Sequence, residues 1–550
     1  MLDRALLYLR TVKRMRPGMV VSRLRRQRML SERVLMGEHC IVMPHIAISD
    51  LDLDIRYLAR FDVEALFDGE FLLLNERHRV DLDAWDVPEA SHLWNFNLHY
   101  FEWGVALAAR WREMEDERCL ICFKRLIRSW IEANPYAEGD AWHPYTISLR
   151  LVNWLVAADL FGDALEEDGC LFESMSESMY RQYRHLLVNQ ETHLRANHWW
   201  ENLKTLVILS AAFGERDVLA CVLGRLETQL DEQILPDGVH FERSLMYHKL
   251  VLEGMLRVRA ASDQFGFELS DNFASKLKLM LDAMASLERG MGKTPFFNDS
   301  TDGVAKECGP LSAACRRLLD MEADDSKTGF PDAGYYKLYD GDIAVMFDAG
   351  EPGPSYMLGH AHCDCLSFEL SYKGEPVVAN LGTYAYQGDL RPYFRSTSAH
   401  NTCALGDEEQ LECWGEHRVG RGYRVVRVEC CASMVTAALV LPSGSMLRRR
   451  ISLAEGRLDV EDSYPADEVG RSFVHFVPSA SFSIIEGRAE IAFPNSTLLF
   501  GSSCHMEEAC CRYSDRFGSI FDTAREITLE GRDGLISCCI SIAERNPDSD

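Results

Sequence analysis

The stretch ADDSKTGFPDAG, residues 323–334, divides the chain into two textures. It gathers Asp, Ser, Lys, Gly and Pro, the residues that punctuate regular structure. On its N-terminal side, from about residue 90 to 290, apolar residues recur at spacings of three and four. Val218, Leu219, Val222, Leu223, Leu226, Leu230 and Ile234 predict a helix over 217–235. Residues 199–213 predict another, closed by Gly214, and 272–289 a third, ending at Gly290. On its C-terminal side the texture is strand and turn. YKLYDGDIAVMFDAG (336–350) sets Asp340-Gly341 between two short apolar runs, a hairpin signal. Residues 421–441 and 448–464 continue the pattern of strands and tight turns. The expectation is an α+β multidomain chain. A basic N-terminal segment occupies 1–45, and a bundle or toroid of helical hairpins 46–325. An antiparallel β-sandwich follows at 335–545.

Composition bounds the partners. Of 550 residues, 47% are hydrophobic and 26% charged, the balance of globular domains. A net charge of −27 argues against non-specific nucleic-acid binding. It also requires any polyanionic substrate to meet a locally basic cleft. Residues 1–28 run against this trend, with nine Lys or Arg and one Asp. Such a basic, Leu- and Val-bearing opening suits either a helix docked on its own acidic body or peripheral contact with an anionic membrane. No apolar run is long enough to span a bilayer, and the start lacks the pattern of a signal peptide, so a cytoplasmic location is expected. The 18 Cys show no paired zinc-site spacing and read as reduced, small apolar side chains.

Four polar clusters could carry chemistry. The first, Arg195 to Asn202, contains Asn197 and His198 at a helix start, where the plainer reading is an N-cap and a surface histidine. The second, Asp237 to His248, contains Arg243, Tyr247 and His248; the plainer reading is a loop with a capping serine. The third, GHAHCDCLSFEL (359–370), would place His360, His362 and Asp364 on one face of a strand. The fourth runs from Asn380 to Thr402, and there Arg391, Arg395 and His400 suit carboxylate or sulfate.

Six segments in order carry a family resemblance: NFNLHYF (95–101), HPYTISLRLVNW (143–154), NHWWEN (197–202), DGVHFERSLMYH (237–248), GHAHCDCLSFEL (359–370) and FRSTSAHNT (394–402). Together they resemble the heparinase II/III family of polysaccharide lyases, which includes oligoalginate lyases. The resemblance implies an (α/α) toroid joined to an antiparallel β-sandwich. It also implies cleavage of an anionic, uronic-acid-containing polysaccharide by C5 proton abstraction and β-elimination. Tyr247 then matches the tyrosine acid that also serves as base, and His360 the histidine base. Asn197 and His198 match the pair that polarises the substrate carboxylate. Arg243, Arg391 and Arg395 are expected to make the cleft basic, with Glu201 and His248 as further substrate contacts. A weak zinc site is implied at His362 and His400, with Asn380 standing where the family commonly has Asp. Three alternatives remain open: a uronyl C5-epimerase, a non-catalytic glycan-binding protein of exopolysaccharide assembly, and a hydrolase using carboxylates among Glu201, Glu242 and Asp299.

Overall fold

The computed structural model describes residues 2–29, 54–485, 488–494 and 496–544. The expected boundary between residues 45 and 46 and the chain end at 545 lie outside the described residues.

The N-terminal half is helical, and the periodicities reappear as helices. Arg216–Gln233 ends at Ile234, and Ala196–Ala212 ends just before Gly214, whose φ is +70°. Asp271–Glu288 starts at an N-cap, Ser270, whose side chain accepts from Phe273 N–H. Ser244 caps Leu245–Phe265 in the same way, so the plain reading of that serine holds. Helix Ala196–Ala212 lies against Pro144–Phe161, Arg216–Gln233 and Leu245–Phe265. Trp200, Leu203 and Leu206 to Leu209 are sealed from solvent in this packing. A helix enclosed by three neighbours is held by burial on nearly every side.

The sheet begins inside the dividing stretch. Gly329–Phe330 already pairs with Tyr335–Asp340. The turn between them closes at Gly334, with φ +89°, where a Cβ would come within 2.1 Å of Gly350 Cα. Tyr335–Asp340 then pairs with Ile343–Asp348 through the two-residue turn Gly341-Asp342. Two large sheets follow, of eight and nine strands, with antiparallel ladders. Strand Met446–Ala454 alternates exposed and buried residues, and its Leu447, Ile451 and Leu453 join Val345, Leu370, Val474 and Ile527 of the other sheet in one apolar core. Arg449 crosses this core. It is paired bidentately with Asp462 at 2.7 Å and donates to the carbonyls of Leu366 and Asn401, which tethers the loops that carry the site.

The basic N-terminus forms helix α1 (Leu2–Arg14) and helix α2 (Pro17–Met29), docked across both halves. Arg10 meets Glu412 at 2.5 Å on the sheet half. Arg16 meets Glu232 at 2.9 Å on the helical half, and Met19 is buried among Ala196, Phe241 and Tyr356. The described cysteines are all free thiols.

Candidate active site

A cleft of about 500 Å³ opens where the two halves meet. Its helical wall is built from first turns and tight connections. Asn197 is not the N-cap expected of it. That place is taken by Arg195, with φ +59° and no side-chain cap, and Asn197 is the second residue of the helix, within its first turn. Its amide donates to both oxygens of Glu242, at 3.0 and 3.2 Å, and approaches His360 Nε2 at 3.4 Å. His198 is no idle surface residue: its Nδ1 meets the buried Glu191 at 3.0 Å. Arg195, Ala196, Arg243 and Asn298 all have positive φ, a costly conformation for residues with a Cβ, and they flank Asn197, Glu242 and Asp299.

The sheet wall is built from loops. Residues 359–367 are not the expected strand; the strand begins at Phe368, and Leu366 has φ +63°. His360 and His362 still converge, but through Asp299 rather than through alternation. His360 Nδ1 lies 2.9 Å from one Asp299 oxygen and His362 Nε2 2.8 Å from the other. Asp364 turns away and accepts from Asn298 N–H at 2.5 Å, and burial raises its carboxyl to about 6. Burial opposes the charge on Asp299, but Arg391 and the two imidazoles outweigh it and hold the carboxyl well below the ordinary range. An ionised Asp299 accepts the Nδ1 proton of His360. The Nε2 lone pair is therefore left facing the cleft.

Tyr247 stands beside this imidazole, ring centroids 4.3 Å apart. Its hydroxyl is 2.7 Å from that of Tyr386, and burial pushes both phenols well above their usual value. Glu242 is likewise raised, chiefly by burial. Glu201 lines the cleft with its charge met by Lys204.

Several expected contacts are elsewhere. Arg243 spends its guanidinium on the carbonyls of Glu351, Gly353 and Asp332. Arg391 is buried and bound to Asp299, and Arg395 is buried against the carbonyls of Leu358, Ala361 and Glu416. His248 is buried between His240 N–H and Met280 O. None of these four lines the cleft; long side chains that can satisfy several carbonyls at once serve here to brace loops. The hydrolase reading also fails at Asp299, which is fully engaged by Arg391 and the histidines.

Sequence reasoning passed over Tyr386, His417 and Arg516, isolated residues in loops without periodicity. Burial lowers His417 to about 3, so it is neutral at ordinary pH. Arg516 is exposed in the cleft and has no carboxylate partner among the described residues, whereas Arg60 pairs with Glu102 and Arg195 with Glu232. Its loop is clasped by the helical half: Asn75 Nδ2 donates to Phe517 O at 2.7 Å and Asp302 N–H to Asp515 O at 2.7 Å.

The metal expectation divides. His400 Nδ1 donates to Ser396 O at 2.7 Å, and His362 Nε2 donates to Asp299, so both protons are committed. The remaining nitrogens, His362 Nδ1 and His400 Nε2, lie 3.2 Å apart. This fits two imidazole ligands of one cation. Asn380 does not fit: its amide donates to Phe296 O and Ser367 Oγ and accepts from Asn401 N–H. Among the described residues no group of three His, Cys, Asp or Glu gathers at metal-holding geometry.

Two family models cover most of the chain: heparinase II/III N-terminus at residues 43–313 and heparinase II/III-like, C-terminal, at 323–540. The chain belongs to the heparinase II/III family. A curated relative, the heparin-sulfate lyase of Pedobacter heparinus, is 23% identical over 366 residues, covering 60% of this chain and 54% of that protein. The chain thus aligns with about half the length of that relative. The crystal structure of heparinase III is similar at a TM-score of 0.72 and 16% identity, over 97% of this chain and 93% of that one. A heparan sulfate lyase structure from Pedobacter heparinus gives 0.56 at 16% identity, over 96% and 88%. At such identities the structures establish a shared fold, with a helical N-terminal part and a sheet-rich C-terminal part.

Proposed function

We propose that this protein is a polysaccharide lyase that cleaves a uronic-acid-containing anionic polysaccharide by β-elimination. The observation that carries this reading is the Asp299–His360 pair, whose Nε2 lone pair enters the cleft beside the protonated phenol of Tyr247. His360 Nε2 takes the C5 proton. The electron pair left behind forms the C4–C5 double bond, the C4–O4 bond breaks, and Tyr247 gives its proton to the departing oxygen. The C5 proton becomes acidic when charge on the neighbouring carboxylate is neutralised. Asn197 and His198 are placed for that task, with the Asn197 amide held by the buried Glu242 carboxyl. Arg516 supplies the exposed positive charge that the buried arginines do not. The heparin-sulfate lyases among its relatives support the substrate class.

The test is ultraviolet absorbance of the unsaturated uronate over a panel of heparan sulfate, chondroitin, alginate and polygalacturonate. A rise with one polymer supports the lyase. Exchange of the C5 hydrogen with deuterated water, without absorbance, would make the protein an epimerase, and binding with neither would make it a glycan receptor.

The same family reading extends to architecture and metal. The helical half closes as an (α/α) toroid and the two sheets form a sandwich, as the core common to both sheets supports. His362 and His400 would hold a zinc ion weakly, with two protein ligands only. When bound, the ion fixes the His362 ring and, through Asp299, the aim of His360. Elemental analysis of protein purified without chelator or metal-affinity tag decides it; zinc near zero with full activity in chelator sinks the idea.

A further inference from the structure

Helix α1 docks largely through polar contacts, beside a Tyr8–Trp414 ring contact, and turns aliphatic side chains outward. The side facing the protein makes polar contacts: Thr11 Oγ1 donates to Val419 O at 3.1 Å, Arg14 Nε donates to Gly420 O at 2.7 Å, and Trp414 Nε1 donates to Thr11 Oγ1 at 3.0 Å. The side facing solvent is aliphatic, with Leu6, Leu9 and Val12 exposed. Helix α2 docks through an apolar residue, Met19, and likewise leaves Val21 and Leu24 exposed. Leu9 is 66% and Leu24 64% accessible, more than the exposed leucines of the sheet half, Leu499 and Leu535, and they stand on neighbouring helices. Exposed basic residues, Arg4, Lys13 and Arg23, accompany these aliphatics. The whole chain meanwhile carries a net charge of −27.

We propose that the outward face of α1 and α2 docks on an anionic lipid bilayer. Aliphatic side chains beside arginine and lysine match the two layers of a membrane surface, acyl boundary and negative headgroups. A neutral or cationic partner leaves the basic residues unanswered, and an acidic soluble one leaves the leucines wet. Among the described residues no helix is long and apolar enough to cross a membrane, so the contact is with its surface. The inward contacts just named already anchor the helices, and docking therefore asks no refolding. Because Met19 packs on Ala196, next to Asn197, the bilayer would lie close to one end of the cleft.

Flotation of the full chain with lipid vesicles tests this. With equal parts phosphatidylglycerol and phosphatidylcholine the protein should float, and with phosphatidylcholine alone it should stay below. High salt should release much of it. Leu9→Ser and Leu24→Ser should each lower the partition coefficient about tenfold, as expected for a leucine returned to water. Neither should change the melting temperature or the activity. Leu499→Ser, at an exposed leucine of the sheet half, should change nothing. Equal flotation with both vesicle types, or binding indifferent to Leu9 and Leu24, overturns the proposal. So does a concentration-dependent dimer in sedimentation that Leu9→Ser abolishes, because the occupant is then a second copy of the chain.

Discussion

The two walls of the cleft hold their reactive groups by different means. On the helical wall, Asn197, His198 and Tyr247 stand in the first turns of helices, where the helix itself sets their direction. On the sheet wall, His360, Tyr386, His417 and Arg516 stand in loops, which have no such frame. There the rigidity comes from buried charge. Asp299 ties His360, His362 and Arg391 together, Arg395 grips three carbonyls of the surrounding loops, and Arg449 with Asp462 anchors Leu366 and Asn401 from the core. A loop aimed by an ionic knot depends most on the carboxylate at its centre, since losing Asp299 leaves Arg391 buried and unpaired. A residue on a helix can be lost alone.

Asp299→Asn should therefore have the largest effect. It removes the acceptor that selects the His360 tautomer, so kcat/KM should fall roughly 10³–10⁴-fold. It also strands Arg391, at a cost of about 3–5 kcal/mol measured by denaturant unfolding. His360→Ala should match the loss of activity but keep nearly wild-type stability. Equal stability in the two variants would mean that the knot does not brace the wall.

Tyr247→Phe comes next. Activity should drop about 10²–10⁴-fold with the melting temperature little changed, because the side chain leaves only a hydroxyl behind. Tyr386→Phe should cost less, since that phenol touches Tyr247 rather than substrate in this reading. A Tyr247→Phe enzyme that turns over normally would move the acid to another group.

The arginines give a sharper contrast. Arg395→Met should lower stability and leave KM nearly unchanged in the protein that stays folded. Arg516→Gln should do the reverse, raising KM about tenfold with kcat held, and flattening the rise of KM with salt. A KM effect at Arg395 and none at Arg516 would return substrate binding to the buried residues.

The smallest effect is on the acid limb of stability. Burial lowers His248 and His185 from 6.5 to about 4. Such a group binds its proton more readily unfolded, so stability is complete above pH 6.5 and declines as pH falls toward 4. Thermal melts across this window should show the decline before ordinary carboxylates titrate, and His248→Gln should reduce its slope. A flat profile would show these imidazoles to be charged in the folded state.

Much of this was legible in the chain. Spacings of three and four located the helix ends within three residues, because burying an apolar stripe is a local property of the pattern. The hairpin was legible from Asp340-Gly341 between two apolar runs, and its turn lies one residue on, at Gly341-Asp342. His360, Tyr247, Asn197 and His198 stood out in motifs where polar residues crowd together, and the family resemblance suggested their roles; the structure brings them to one cleft. The arginine assignments failed because sequence displays a charge without its partner. Arg243, Arg391 and Arg395 look like substrate contacts until the carbonyls and the Asp299 carboxylate that occupy them are seen. Asn380 failed likewise, since an amide can satisfy backbone as readily as metal.

By itself, then, the sequence determined the division at residues 323–334, the helical and sheet textures on either side, and the chemical types gathered at the site. Tertiary structure alone decided that Asp299, from a connection in the helical half, orients a histidine of the sheet half. It also decided that Arg516, more than 100 residues beyond the last recognised motif, stands exposed in the cleft with no carboxylate partner among the described residues. The reason is physical. Periodicity and capping act over a few residues, whereas a carboxylate's charge state and an arginine's availability depend on whatever long-range packing brings within hydrogen-bonding distance.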